Sequence, residues 1–249
     1  MADTALAVIP ARLGSTRLPG KPLLDRTGKP LIQHVVERVR GAHRIGRIVV
    51  ATDDERIVAA VEAFGGEAML TRADHANGTS RIAEAVERLA EAGDDAIVVN
   101  VQGDEPEVEP AAIDALVDGL AKDPRVGMAT LASEFAPDED PADGNIVKVV
   151  TDVRGRALYF SRAVIPHHRD GDGSVRPLKH AGLYAYRRGF LMRYAQLEPT
   201  PLEQAEKLEQ LRALEHGETI LVVRTHAGRH GIDTPEQYEA FVRRVASSA

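Results

Sequence analysis

The first half of the chain alternates short apolar runs with longer stretches of helical period. That alternation is met by strands of a mostly parallel sheet, each joined to the next by a covering helix. Leu6–Ile9, Arg47–Ala51, Ala68–Leu70, Ala96–Val101 and Gly127–Leu131 are the expected strands. Pro30 followed by Ile32, Val35, Val36 and Val39 marks the first helix, with proline in its opening turn and Gly41 as a stop. Ile57, Val58, Val61 and Phe64 form the second stripe, ended by Gly65-Gly66. The third helix opens near Thr79, carries Ile82, Ala83, Val86, Leu89 and Ala90, and closes before Gly93; Pro110–Ala121 is the fourth.

From about Ile146 the pattern changes. Ile146–Val150 and Ala157–Phe160 read as a hairpin turning at Gly155, and Lys179–Tyr186 reads as another strand after a Gly/Asp-rich loop at Asp170–Ser174. These are expected to form a small antiparallel lobe at about 133–190, set into or beside the main sheet. Helical period returns over Leu202–Leu214, a strand over Ile220–Arg224, and a closing helix from Thr234, where Thr-Pro-Glu supplies cap, first-turn proline and early acid. At 249 residues, the expectation is one domain over 1–249: an α/β, Rossmann-like fold with a mostly parallel sheet, helices on both faces and the small lobe.

Composition restricts the partners. A net charge of −7 argues against a protein that lives on nucleic acid or an anionic membrane, so a polyanionic ligand has to be met by a local basic cluster. With no cysteine, disulfide frameworks, thiolate zinc sites and Cys nucleophiles are excluded. The apolar run Leu6–Ile9 is too short for a signal peptide or a membrane span, and a cytoplasmic protein is expected.

That local basic cluster follows the first strand directly, in Pro10-Ala-Arg-Leu-Gly-Ser-Thr-Arg-Leu-Pro-Gly-Lys21-Pro22. Ligands of open α/β sheets bind at the carboxyl ends of strands, glycines let backbone N–H groups approach phosphate, and Arg12, Arg17 and Lys21 add three cations. The loop is neither a Walker A motif nor a dinucleotide fingerprint. A solvated loop whose cations serve solubility is the plainer alternative. Asn100-Val-Gln-Gly-Asp-Glu-Pro106 places Asp104 and Glu105 where an apolar strand meets solvent, a position suited to a carboxylate that holds magnesium beside a phosphate. Asp233 offers a second carboxylate, although Asp-Thr-Pro by itself reads as a helix cap. The stretch from Asp74 to Arg81 can read a base or ribose, or simply open a helix. Arg162, His180, Tyr184, Glu209 and Gln210 are polar residues in or near apolar runs, suited to an acidic, hydroxyl-rich substrate or to structural hydrogen bonding. With no H-E-x-x-H and no G-x-S-x-G, zinc hydrolysis and serine nucleophilic catalysis are set aside.

Taken together and in order, Pro10 to Leu23, Ala51-Thr-Asp53, Asn100 to Pro106, Ala157 to Arg162, Leu208 to Arg212 and Gly231 to Glu236 resemble the 3-deoxy-manno-octulosonate (Kdo) cytidylyltransferases over nearly the whole chain. The resemblance implies a nucleotidyltransferase fold, a homodimer formed largely through the smaller lobe, and magnesium-dependent transfer of CMP from CTP to Kdo for lipopolysaccharide. It implies catalytic roles for Arg17, Lys21, Asp104 and Asp233, with Asp104 and Asp233 as Mg2+ ligands. Nucleotide contacts would come from Arg12, Leu13, Arg17, Lys21, Asn77, Thr79, Arg81 and Gln102, and sugar contacts from Arg162, His180, Tyr184, Glu209 and Gln210. Two departures stand out: Ser80 replaces the glutamate of a Gly-Thr-Glu-Arg stretch, and Asp143-Gly-Asn145 precedes the Val147–Val150 run. A cytidylyltransferase for sialic acid or 8-amino-Kdo, and a non-catalytic nucleotide-binding domain, are the competing readings.

Overall fold

The computed structural model describes residues 4–14, 17–89, 93–137, 139–171, 175–225 and 231–248. Ala90, expected at the end of the third helix, and residues 172–174 of the Gly/Asp-rich loop lie outside the described residues.

Strands β1 (Ala5–Ala11), β2 (Ile45–Thr52), β3 (Ala68–Leu70), β4 (Ile97–Asn100) and β5 (Met128–Glu134) coincide with the five apolar runs. Helices α1 (Leu31–Arg40), α2 (Glu55–Ala63), α3 (Gly78–Leu89) and α4 (Pro110–Lys122) lie between them, as the stripes require. β3, β2, β1 and β4 pair in parallel in that order. The apolar positions of α1, α2 and α4 bury Ile32, Val35, Val36, Ile57, Val61, Ile113 and Leu116 on one face of the sheet. Those of α3 bury Ile82, Ala85 and Val86 on the other.

In the second half, β6 (Lys148–Thr151) and β7 (Ala157–Ser161) form the expected hairpin, with Gly155 at φ 79° in its turn, a conformation that a Cβ disfavours. β8 (Leu178–Arg187) pairs antiparallel with β4 on one side and β5 on the other, and β9 (Ile220–Arg224) continues in parallel beyond β5. Of the span 133–190, the hairpin alone stands off the main path of the sheet, joined to it by β6 pairing with β8. A shift of register between Thr130 and Leu131 against β8 leaves extra residues on β8 between Ala181 and Tyr184. Such bulges re-aim neighbouring side chains. Arg188–Tyr194 forms a short helix, α5, directly after β8.

The continuous helix expected over Leu202–Leu214 is corrected. Two short helices, α6 (Pro201–Glu206) and α7 (Gln210–Glu215), are separated by Lys207 in the left-handed region at φ 54°. The break serves three contacts. The Glu206 carboxylate accepts from Ser161 Oγ at 2.6 Å and from the Arg162 backbone N–H at 2.9 Å, while Leu208 turns into the core. The final helix α8 (Pro235–Ser248) lays Tyr238 and Phe241 against Leu18 and Leu31. No helix among the described residues is long and apolar enough to cross a membrane.

Candidate active site

The basic loop leaves β1 at the carboxyl edge of the sheet, beside the segment that follows β4. Gly103 makes that approach feasible: a Cβ there would stand 2.8 Å from the Pro10 carbonyl oxygen. The last segment joins them through the Ile232 N–H, which donates to the Asp104 carbonyl at 2.8 Å, and through the packing of α8 on Leu18 and Leu31. Three stretches distant in sequence thus converge on one cleft of about 490 Å³, lined among others by Arg12, Arg17, Lys21, Asn77, Arg81, Gln102, Asp104 and Asp233.

Its charges are interleaved. Lys21 Nζ donates to Asp104 Oδ2 at 2.7 Å, to Asp233 Oδ1 at 3.1 Å and to the Ile232 carbonyl at 2.9 Å. Arg17 Nη2 lies 3.1 Å from Asp233 Oδ2. The reading of Asp233 as a helix cap does not describe these contacts. α8 is capped by Thr234 and Gln237 instead, which exchange the Gln237 N–H to Thr234 Oγ1 bond at 3.3 Å and the Thr234 N–H to Gln237 Oε1 bond at 3.0 Å. The Asp233 carboxylate is left for the cleft.

The remaining nucleotide candidates divide. Asn77 caps α3, its Oδ1 accepting the Ser80 N–H at 2.9 Å, and so combines the helix-entry role with a place on the cleft wall. Arg81 lines the wall too, but its guanidinium is engaged by Asp53 Oδ2 at 2.8 Å, Thr71 Oγ1 at 2.6 Å and the Arg72 carbonyl. Leu13 packs partly buried against the core, with its carbonyl accepting Gly20 N–H across the basic loop. Thr79 is buried two residues after Asn77, in the first turn of α3, where it faces Glu209 and Tyr186. Gln102 points from the cleft toward β8, with Nε2 3.4 Å from the Gly182 carbonyl.

None of the five sugar candidates lines the cleft. His180, Tyr184 and Glu209 form a second group behind α3's first turn. The His180 and Tyr184 rings are 5.6 Å apart, and the Tyr184 and Tyr186 rings stack at 6.0 Å. Burial holds the Glu209 carboxyl above its ordinary range, against the opposing Thr79 hydrogen bond. Glu209 Oε1, Gln210 Nε2 and Asn100 Oδ1 are buried and have no hydrogen-bond partner among the described residues. Unpaired buried polar atoms are costly and ask for a polar ligand. Arg162 lies apart at the end of β7, its guanidinium donating to the carbonyls of Glu206 at 2.8 Å and Gly144 at 2.9 Å.

Sequence reasoning missed His75, which lies in the cleft wall with Nδ1 3.2 Å from Ser80 Oγ and Nε2 on Glu84. It also missed Asn100 and Tyr186 in the second group. A signal existed for Asn100, a lone amide inside the apolar run Ala96–Val101.

The chain belongs to the cytidylyltransferase family, whose model, described as "Cytidylyltransferase", matches residues 6–220. More particularly, it is 54% identical over 245 residues to the 3-deoxy-manno-octulosonate cytidylyltransferase of Syntrophobacter fumaroxidans, covering 98% of each chain. It is 49% identical to the protein of that name from Geobacter sulfurreducens, over 96% of this chain and 98% of the relative. A solved CMP:2-keto-3-deoxy-manno-octonic acid synthetase complexed with CTP superimposes with a TM-score of 0.92 at 46% identity, covering 99% of this chain and 100% of that one. The resemblance read from the motifs, and the α/β fold that it implied, are borne out.

Proposed function

We propose that the chain transfers CMP from CTP to the anomeric hydroxyl of Kdo, giving CMP-Kdo and pyrophosphate, for lipopolysaccharide synthesis. The observation that carries this reading is the convergence of Arg12, Arg17 and Lys21 with Asp104 and Asp233 on one cleft at the strand ends. In the reaction the sugar hydroxyl attacks the α-phosphorus in line, the bond to the β-phosphate breaks, and the hydroxyl proton leaves to solvent. Positioning and charge stabilisation dominate such chemistry. Arg12, Arg17 and Lys21 bind the triphosphate, and Arg17 and Lys21 meet the charge that grows on the departing pyrophosphate.

The donor set fits a magnesium ion. Two carboxylate oxygens that both reach one ammonium nitrogen, at 2.7 and 3.1 Å, can also reach one small cation. No group of three or more metal-binding side chains occurs among the described residues, which suits an ion that completes its shell with phosphate oxygens and water. Asp104 and Asp233 would hold it. When bound, Mg2+ supplies Lewis acidity that eases loss of the hydroxyl proton and neutralises phosphate charge.

The second group is the proposed sugar site. Its unpaired Glu209, Gln210 and Asn100 atoms suit a polyol, and Gln102 connects it to the cleft. Arg162, apart from this group and bonded to the carbonyls of Glu206 and Gly144, enters the proposal for the sugar carboxylate on the family resemblance alone. A homodimer and a cytoplasmic location belong to the same proposal, the former supported by Val153 and Leu158, exposed at 103% and 62% on the hairpin. A nucleotide panel tests the assignment: turnover with CTP should exceed that with ATP or UTP by at least about a hundredfold, because a pocket built for one base edge leaves groups unpaired with another. Equal turnover with ATP would remove the CTP reading.

A further inference from the structure

Lys21 does more in the cleft than a phosphate ligand requires. An ammonium has three donors, and all three are taken by the protein: Asp104 Oδ2 at 2.7 Å, the Ile232 carbonyl at 2.9 Å and Asp233 Oδ1 at 3.1 Å. While those bonds hold, none is left for a nucleotide. The lysine side chain is only 12% exposed, against 30% for Asp104 and 43% for Asp233, so its head sits on the inner side of the carboxylate pair. Arg17, 65% exposed, covers the outer side of Asp233. The oxygens that would hold a divalent ion are thus bridged by a cation covalently tied to the chain.

One ammonium cannot bridge two carboxylates and neutralise a polyphosphate at the same time. We propose that Lys21 is a tethered counter-ion: it keeps Asp104 and Asp233 assembled but closed to divalent metal until the phosphates of the nucleotide draw it away, so that metal binding follows nucleotide binding. The inference rests on the reading of Asp104 and Asp233 as the metal carboxylates. Its physical basis is charge. A unit positive charge about 3 Å from both carboxylates opposes a second cation there and occupies the oxygens that the ion needs. A triphosphate offers the ammonium a denser anion, and the flexible four-carbon stem of lysine allows the exchange.

The test measures Mn2+ binding by the full chain without nucleotide, with free Mn2+ read by electron paramagnetic resonance. Wild type should bind weakly. Lys21→Met should bind at least about tenfold more tightly, since removing the competing charge frees both carboxylates. Lys21→Arg, which keeps the charge, should stay weak, and adding Asp233→Asn to Lys21→Met should cancel the gain. Lys21→Gln gives the same comparison should Lys21→Met not fold. The proposal is overturned if the neutral variants bind no more tightly than wild type, or if wild type alone already binds as tightly as they do. Failure of the underlying reading looks different: Asp104→Asn and Asp233→Asn would then retain metal-dependent turnover with CTP and Kdo.

Discussion

His180 provides a pH-dependent signature that can be worked from the structure. Its ring is 7% exposed, lies edge-on to Phe160 at 5.0 Å, and has Nε2 2.8 Å from Thr130 Oγ1. The Thr130 hydroxyl is directed to the carbonyl oxygens of Leu183 at 2.9 Å and Ala181 at 3.2 Å, so it accepts from Nε2–H, which places a ring proton on Nε2. Burial pushes the imidazole down to about 3 from an ordinary value of 6.5. A base whose folded pKa is depressed binds fewer protons folded than unfolded between these values. Its contribution is complete above pH 6.5 and is lost progressively as pH falls toward 3. At pH 5, about one and a half pH units below the unfolded value, the loss is about 2 kcal/mol. Urea unfolding of wild type and His180→Gln at pH 7.5 and pH 5 isolates it, because the other titrating groups are common to both proteins. Wild type should lose about 2 kcal/mol more than the variant between the two pH values. Equal losses would refute a buried neutral imidazole.

Asp104→Asn and Asp233→Asn should each lower turnover by at least about a hundredfold, and the double variant should cost much less than the product of the two, as expected of groups acting as one unit. Thr234→Ala should lower unfolding free energy by about 1 kcal/mol in a denaturant titration with turnover retained, because Thr234, and not Asp233, caps α8. Arg17→Ala, removing a side chain 65% exposed, should lower turnover with a melting temperature close to wild type; the reverse pattern would make Arg17 a structural residue. Lys148→Met should destabilise by about 3 kcal/mol or more in the same titration, since the buried ammonium donates to the carbonyls of Asp143, Ile146 and Arg162; loss of under 1 kcal/mol would contradict that role.

The first half was legible because its central strands β1 and β4 are largely buried and its helices are buried on one face, so apolar period and element coincide. β8 was legible as a strand but not in its place. Nothing in Lys179–Tyr186 distinguishes an antiparallel insertion between β4 and β5 from an edge of a separate lobe, since burial on two faces gives the same pattern. Leu202–Leu214 misled because its apolar spacing continues through Lys207, whereas the break is set by Glu206 reaching Ser161 and Arg162 on another strand. In the site, the cationic loop and Asp104 were legible from their positions at strand ends. The placing of Lys21 between Asp104 and Asp233 was not, because its partners lie 83 and 212 residues away and only the docking of α8 brings the second to the first. His75 escaped notice because a histidine in a helix entry carries no local sign that it faces a cleft.

Pyrophosphate release from CTP and Mg2+ with no sugar, with Kdo and with sialic acid, the nucleotide product being identified by mass spectrometry, decides whether the chain makes CMP-Kdo. Release should depend on Kdo and yield CMP-Kdo, with little above background in the other two reactions. CTP binding without release under any condition, or release that follows sialic acid in place of Kdo, would contradict it.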